Sequence, residues 1–312
     1  MVKCSKCQVN PVCTKTPEGE LVCKTCFIER VETIVYDCIK SFNLIRPTDH
    51  ITIGVSGGKD STALATMLTR IEKQHPTGAK YTLVAVDEGI VGYRDRSLEC
   101  VHWLEEYLQL PLKIISYKTE YGMTMDEIVS KGGRNACSYC GVLRRQCLEK
   151  ATSEVGGNVI ATGHNGDDVA ETVLMNFLRG DAVRLERCKS LLREEVGDIV
   201  RIKPFSLLTQ KEVVLYAHYM KLKYFSVECS YAGTAFRGNA RTFLQETQIK
   251  FPWIVRSCVI SNEQASVKIK DKQQVKLKVC KLCGMKTSSD VCQACKMLAE
   301  LRKGAPKIEL TK

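Results

Sequence analysis

At residues 51–61 an apolar run, ITIGV, passes directly into Ser56, Gly57, Gly58, Lys59, Asp60 and Ser61, and TALATMLTRIE continues at helical spacing. A strand, a glycine turn and a helix in succession leave few options. The strand belongs to a sheet whose carboxyl edge carries the turn, and the helix covers one face of that sheet. The two glycines let backbone N–H groups approach an anion, and the helix N-terminus favours negative charge. Ser56, Ser61 and Lys59 add donors. The spacing is too short for a Walker A loop, and there the lysine is followed by Ser or Thr rather than by Asp. Asp60 puts a carboxylate beside the phosphates, which suggests handling of Mg²⁺ or of pyrophosphate.

Further apolar runs, YTLVAVD at 81–87, LKIIS at 112–116, NVIATGH at 158–164 and IVRIKPF at 199–205, alternate with helical patterns. Alternation of this kind implies right-handed βαβ units and an α/β fold with a doubly wound, Rossmann-like parallel sheet. Ligands of such sheets bind at the carboxyl edge. Val86 and Asp87 end the second strand there, and Thr162-Gly163-His164-Asn165-Gly166-Asp167-Asp168 follows the fourth. Paired carboxylates in that position hold Mg²⁺ or polarise a nucleophile; they also cap helices. Asp168 is the expected catalytic carboxylate, ahead of Asp167. Before the sheet, Val31, Ile34, Val35, Cys38, Ile39 and Phe42 recur at helical spacing.

Of the 312 residues, 17 are cysteine. The N-terminus has no signal-peptide pattern, and no run approaches the ~20 apolar residues that span a bilayer. A cytoplasmic location is therefore expected, where disulfide frameworks do not persist and cysteines in pairs bind metal. Cys4 and Cys7 are followed by Cys23 and Cys26; near the other end, Cys280 and Cys283 are followed by Cys292 and Cys295. Each double Cys-x-x-Cys set fits one tetrahedral Zn²⁺, and the metal supplies the folding energy that so small a module lacks. Cys13 breaks the spacing. Cys137 and Cys140 stand alone in the α/β domain, as a redox couple, half a zinc site, persulfide carriers or part of an iron–sulfur cluster. Cys147 and Cys229 are candidate third ligands, and spacing does not choose between them.

The expected organisation is an N-terminal zinc module over 1–30, the α/β domain over 31–260, a basic linker over 261–279 and a C-terminal zinc module over 280–312. The three metal groups are expected to be separate in fold. From Lys268 onward twelve basic residues face four acidic ones, so this tail carries +8 of the formal +11. Four thiolates on Zn²⁺ reduce that to about +6. A basic tail around a zinc module points to nucleic acid.

SGGKDS resembles the PP-loop of N-type ATP pyrophosphatases, which cleave ATP between the α- and β-phosphates and adenylate their substrate. VDEGIVGYRD, CSYCGVLRR, TGHNGDDVAETVLMNFLRGDA, QKEVVLYAH, AFRGNAR and both cysteine modules extend the likeness. Over essentially its whole length the chain is similar to the tRNA 2-thiouridine synthetases that combine a PP-loop domain with two terminal zinc modules. The resemblance implies ATP-dependent 2-thiolation of a tRNA uridine, at the wobble position, with ATP, Mg²⁺, two Zn²⁺ and an iron–sulfur cluster. ATP is expected at Ser56, Gly57, Gly58, Lys59, Asp60, Ser61, Val86, Asp87 and Gly163. In this group three cysteines, matching Cys137, Cys140 and Cys229, ligate the cluster and leave one iron open for exogenous sulfide, so Cys147 becomes a packed core residue. Arg144 stands where bacterial and archaeal relatives often carry Lys. Arginine stays protonated and cannot be a base, so it is expected to stabilise charge.

The expected catalytic set is Asp60, Cys137, Cys140, Arg144, Asp168 and Cys229. Expected partners are tRNA, a thiocarboxylated ubiquitin-related modifier as sulfur donor, and a second tRNA 2-thiolation protein. Two other readings stand beside this one. Another adenylating PP-loop enzyme, of amidoligase or lysidine synthetase type, would need no cluster; a non-catalytic zinc-dependent RNA-binding module would not turn over ATP.

Overall fold

The computed structural model describes residues 2–132, 136–196, 199–227, 229–231, 237–265 and 277–302, with the backbone alone at 194–196. A short hairpin, β1 (Thr14–Lys15) and β2 (Leu21–Val22), precedes helix α1 (Lys24–Ser41). Strand β3 (His50–Gly54) leads to α2 (Lys59–Gln74), and β4 (Lys80–Asp87) to α3 (Arg94–Leu108). After β5 (Leu112–Ser116) come the short α4 (Tyr117–Tyr121) and α5 (Met125–Ser130), then the long α6 (Ala136–Glu154). Strand β6 (Val159–Ala161) feeds α7 (Gly166–Leu178) and α8 (Ala182–Arg187). Strands β7 (Glu194–Val196) and β8 (Ile199–Ile202) precede α9 (Gln210–Tyr219), α10 (Arg237–Lys250) and α11 (Ile254–Gln264). A second small hairpin, β9 (Lys278–Val279) and β10 (Lys286–Thr287), is followed by α12 (Gln293–Arg302).

The main sheet has the order β5-β4-β3-β6-β8-β7 and is parallel except for β7, which runs antiparallel to β8. Its two faces follow from the two-residue period of a strand. On β4, Leu83 and Ala85 enter a core with Ile51, Ile53, Leu64 and Leu68, under α1, α2 and α9. Val84, between them, points the other way, into a core with Ile115 of β5 and Leu143 of α6. Thr52 also faces α6, where its hydroxyl meets that of Thr152 at 2.7 Å. The doubly wound expectation holds, with β7 as an addition.

Several expected bounds shift for local reasons. Residues 162–164 leave the sheet to form a loop, and Pro204, which has no N–H to donate, follows the shortened β8. Helix α1 starts at Lys24, ahead of its apolar stripe and across the expected limit at residue 30. Helix α11 continues to Gln264, past the expected linker start. Most of that linker, with Lys268, Lys270, Lys272 and Lys276, lies outside the described residues, as do Lys303, Lys307 and Lys312. The expected separation of the metal groups is corrected: Cys280 and Cys292 share one apolar core with Tyr139, Leu143, Cys140 and Cys229.

Candidate active site

Adjacent strands β3 and β6 part company at the carboxyl edge, because β3 continues toward β4 and β6 toward β8. Such a switch point opens a crevice between the two following loops. The loop after β3 is held tightly. Gly57 has φ +69°, and a Cβ there would lie 2.4 Å from the Ser97 carbonyl oxygen. The Ser61 hydroxyl accepts from the Ser56 N–H at 3.1 Å and donates to the Gly58 carbonyl at 3.1 Å. Gly58 caps α2 with no side chain of its own, so the first-turn N–H groups face the crevice. The helix dipole contributes only about 1 kcal/mol for an anion at this point, so direct donors have to carry a phosphate.

The loop after β6 presses against the first. A Cβ on Gly163 would lie 2.9 Å from the backbone carbon of Asp60, so this crossing requires glycine. Asn165 caps α7 through a reciprocal box with Asp168, and its amide reaches Asp60 at 3.5 Å. Asp168 is thus a cap and also a wall of the crevice. Asp167 turns away: it accepts from the Gln210 N–H at 2.7 Å, and burial pushes its carboxyl above the ordinary range.

The crevice encloses about 340 Å³ and is lined by Ser56, Asp60, Ser61, Val86, Arg144, Gly163 and Asp168 among the expected residues. Lys59 lies beside it, 3.1 Å from Asp60. Asp87 is held aside by the Gly89 N–H at 2.8 Å and by Arg94 at 3.2 Å. Sequence reasoning passed over Glu88 and Arg237, which also line the crevice. Glu88 is buried and pairs with Arg144 at 2.7 Å. Arg237 pairs with Glu171 at 2.8 Å and donates to the Asp168 carbonyl at 3.1 Å. Both stand in quoted motifs, DEG and FRGNAR, but neither has a spacing that marks it. A larger cleft of about 470 Å³ lies between the β1–β2 hairpin, α9 and α10 and shares no lining residue with the smaller one; the phosphate donors favour the smaller one.

Arg144 connects the crevice to sulfur. Its guanidinium donates to the Cys140 Sγ at 3.3 Å, one helical turn back along α6. Cys137 donates to the Tyr231 carbonyl at 3.4 Å, so the start of α6 meets the loop that carries Cys229. Cys140, Cys229 and Tyr231 pack in the same cluster. Burial pushes the Cys140 thiol up, and Arg144 draws it down. Cys147 is buried in the same core two turns further along α6, where its thiol donates to the Tyr121 hydroxyl at 3.3 Å. The accessible Cys137 and the half-buried Cys140 and Cys229 are a soft donor set that suits an iron–sulfur cluster, which spaces its thiolates more widely than one Zn²⁺ does.

The terminal cysteines do close on single points. Among the described residues the four sulfurs of Cys4, Cys7, Cys23 and Cys26 lie within 4.8 Å of one another, and so do those of Cys280, Cys283, Cys292 and Cys295. A tetrahedral ion with Zn–S of about 2.3 Å separates its sulfurs by roughly 3.8 Å. Cys7 and Cys23 are 3.8 Å apart, and Cys283 and Cys292 are 3.6 Å apart. Backbone N–H groups hold Cys4 and Cys280 down to about 6, while burial and neighbouring thiols push Cys26 up to about 12.

Comparison with known proteins fits this geometry. A PP-loop domain family matches residues 28–247, and a zinc-ribbon family matches 278–309. Cytoplasmic tRNA 2-thiolation protein 1 of Dictyostelium discoideum is 44% identical over 99% of this chain and 86% of its own length. The Xenopus laevis protein of the same name is 43% identical over 100% of this chain and 92% of its own. Among solved structures, the U34-tRNA thiolase NcsA from Methanococcus maripaludis, with its [4Fe-4S] cluster, superposes with a TM-score of 0.79 at 29% identity, over 96% of this chain and 97% of that one. With this identity spread along its whole length, the chain belongs to the cytoplasmic tRNA 2-thiolation protein 1 family of PP-loop proteins.

Proposed function

We propose that this protein is a cytoplasmic tRNA 2-thiouridine synthetase, which activates a wobble uridine with ATP and replaces the oxygen on carbon 2 by sulfur. The observation that carries the reading is Arg144, whose one guanidinium lines the phosphate crevice and donates to the Cys140 sulfur. Activation and sulfur delivery then share a wall.

A carbonyl oxygen is a poor leaving group. In the first step the uridine oxygen attacks the α-phosphorus of ATP, the bond to the bridging oxygen of the β-phosphate breaks, and pyrophosphate leaves. The N–H groups of Gly57 and Gly58 and the Lys59 ammonium are assigned to the departing phosphates, where preorganised donors act on developing charge, while Ser56 and Ser61 brace the loop that presents them. Asp60 and Asp168 are the carboxylates assigned to Mg²⁺, Val86 borders the nucleoside while Asp87 braces the turn behind it, and Gly163 keeps the second loop close enough for both carboxylates to act. In the second step sulfur attacks carbon 2, the C–O bond breaks, and AMP departs with its charge met by Arg144. Cys137, Cys140 and Cys229 would hold an iron–sulfur cluster, whose chemistry would be to present sulfide. The terminal zinc sites are structural, the N-terminal one running into the catalytic domain through α1 and the C-terminal one following a basic linker that begins after α11.

Sequence likeness to the family supports two partners: a thiocarboxylated ubiquitin-related modifier as sulfur donor, and cytoplasmic tRNA 2-thiolation protein 2. Among the described residues no helix is long and apolar enough to cross a membrane. Nucleoside mass spectrometry of tRNA from a deletion strain tests the function. Wobble 2-thiouridine is expected to vanish, to return with the wild-type gene and to stay absent with Cys140→Ala; undiminished 2-thiouridine in the deletion strain would overturn the reading.

A further inference from the structure

Helix α6 touches two metal groups, on different faces. Cys140 and Arg144 stand near its start, and further along it the Gln146 amide donates to two sulfurs of the C-terminal ribbon, 3.4 Å to Cys292 and 3.5 Å to Cys283. The Gln146 amide oxygen lies 3.1 Å from the Tyr121 hydroxyl, which also reaches the Leu143 carbonyl at 3.0 Å and accepts from Cys147 at 3.3 Å. That hydroxyl has one proton, so it donates to Gln146 or to Leu143 at a time. Tyr121 packs edge-on against Tyr117 with ring centres 5.4 Å apart, and Tyr117 donates to the Cys140 carbonyl at 2.9 Å. An unbroken set of contacts thus runs from the ribbon thiolates to Cys140. Met297 and Leu298 of α12 join Leu143 in the core around it.

Four thiolates on Zn²⁺ carry net negative charge, and N–H donors to sulfur disperse part of it. The ribbon has such donors of its own, since the Cys292 and Cys295 N–H groups reach ribbon sulfurs. Gln146 is different, because it belongs to the catalytic domain. We propose that Gln146 is a positioning residue that ties the zinc state of the C-terminal ribbon to the setting of Cys140 and Arg144. Its consequence for sulfur transfer rests on the function proposed above; the tie itself does not.

The test uses full-length protein loaded with zinc. Gln146→Leu keeps the volume and removes the amide, and Gln146→Lys restores an N–H donor. Zinc release to a colorimetric chelator is followed beside the rate at which iodoacetamide alkylates Cys140 in iron-free protein, with exposed Cys13 as the reference thiol. In Gln146→Leu one of the two zincs is expected to leave about tenfold faster or more. Cys140 alkylation should accelerate with it, and Gln146→Lys should reverse both effects. Cys283→Ser, which empties the ribbon, should accelerate Cys140 even with Gln146 in place. Zinc release at the wild-type rate in Gln146→Leu would overturn the proposal, and so would faster release with Cys140 unchanged. Neither readout uses ATP or tRNA, so failure here leaves the proposed function standing, and failure of the function leaves these rates unexplained by it.

Discussion

At the N-terminus Cys23 caps α1 and Cys26 sits in its first turn, while the same helix carries Val31, Val35 and Ile39 into the main core beneath the sheet. At the C-terminus Cys295 lies in α12, which packs on α6 in the second core, beside the central cysteines. Equal sets of four thiolates are therefore built into different parts of the molecule. One is continuous with the body that holds ATP, and the other leans on the helix assigned to deliver sulfur. Ion pairs deepen the contrast. Glu18 of the N-terminal hairpin and buried Glu212 of α9 share Arg30 and Arg256, whereas the ribbon's Lys278 and Lys281 both spend their charge on its own Asp290, at 2.9 Å each.

The largest effect expected from this difference is on stability. Cys26→Ala should lose one zinc and lower the main unfolding transition by several kcal/mol, because the start of α1 loses the metal that anchors it. Cys292→Ala should lose the other zinc and leave the main transition nearly in place. Calorimetry with zinc analysis decides; equal falls would erase the distinction. Next comes Glu212→Ala, which leaves Arg30 and Arg256 with Glu18 alone and should cost about 3 kcal/mol, the lower end for a broken buried pair. An unfolding free energy lowered by less than about 1 kcal/mol in a denaturant titration would show the N-terminal module to be loosely attached.

A smaller effect concerns pH at the junction of α1 and β3. Desolvation raises the Asp49 carboxyl, but Arg193 at 2.7 Å, the Arg46 N–H and Asn158 outweigh it and hold the group below its ordinary 3.8. Its contribution is therefore complete above the unfolded value, near pH 4, and is lost as pH falls through the lower folded value. Asp49→Asn should flatten the acid limb of a stability-against-pH curve; an unchanged limb would contradict the pairing. Smallest of all, Asp290→Asn should free two lysines for RNA. The slope of log affinity for tRNA against log salt should then steepen by roughly 0.7–0.9 per added phosphate contact. An unchanged slope in filter binding would remove the ribbon face from the RNA surface.

Much of this arrangement was legible in the residues. ITIGV and YTLVAVD match β3 and β4 to within a residue because their apolar runs are buried on both faces. The terminal sites were legible because Zn²⁺ demands close pairs. Helix α1 extends ahead of Val31 because buried Phe27 and Ile28 continue its apolar period, and only Lys24 and Thr25 owe their place to the cysteine pair around them. Burial of Cys147 follows the resemblance, whereas the proximity of Cys137 to Tyr231 depends on how the start of α6 meets a loop about ninety residues on, which no spacing encodes. Glu88 and Arg237 were passed over for the same reason. The docking of the ribbon on α6 was misjudged as separation, since sequence distance between Cys140 and Cys292 says nothing about a shared core.

Turnover of ATP labelled at the α-phosphate, with and without tRNA, bears on the whole scheme at once. The crevice as described predicts tRNA-dependent release of AMP and pyrophosphate, with one AMP per 2-thiouridine formed. It also predicts no release by Asp60→Ala protein that keeps its full zinc content. Labelled ADP as the product, or AMP formed at the same rate by Asp60→Ala, would contradict it.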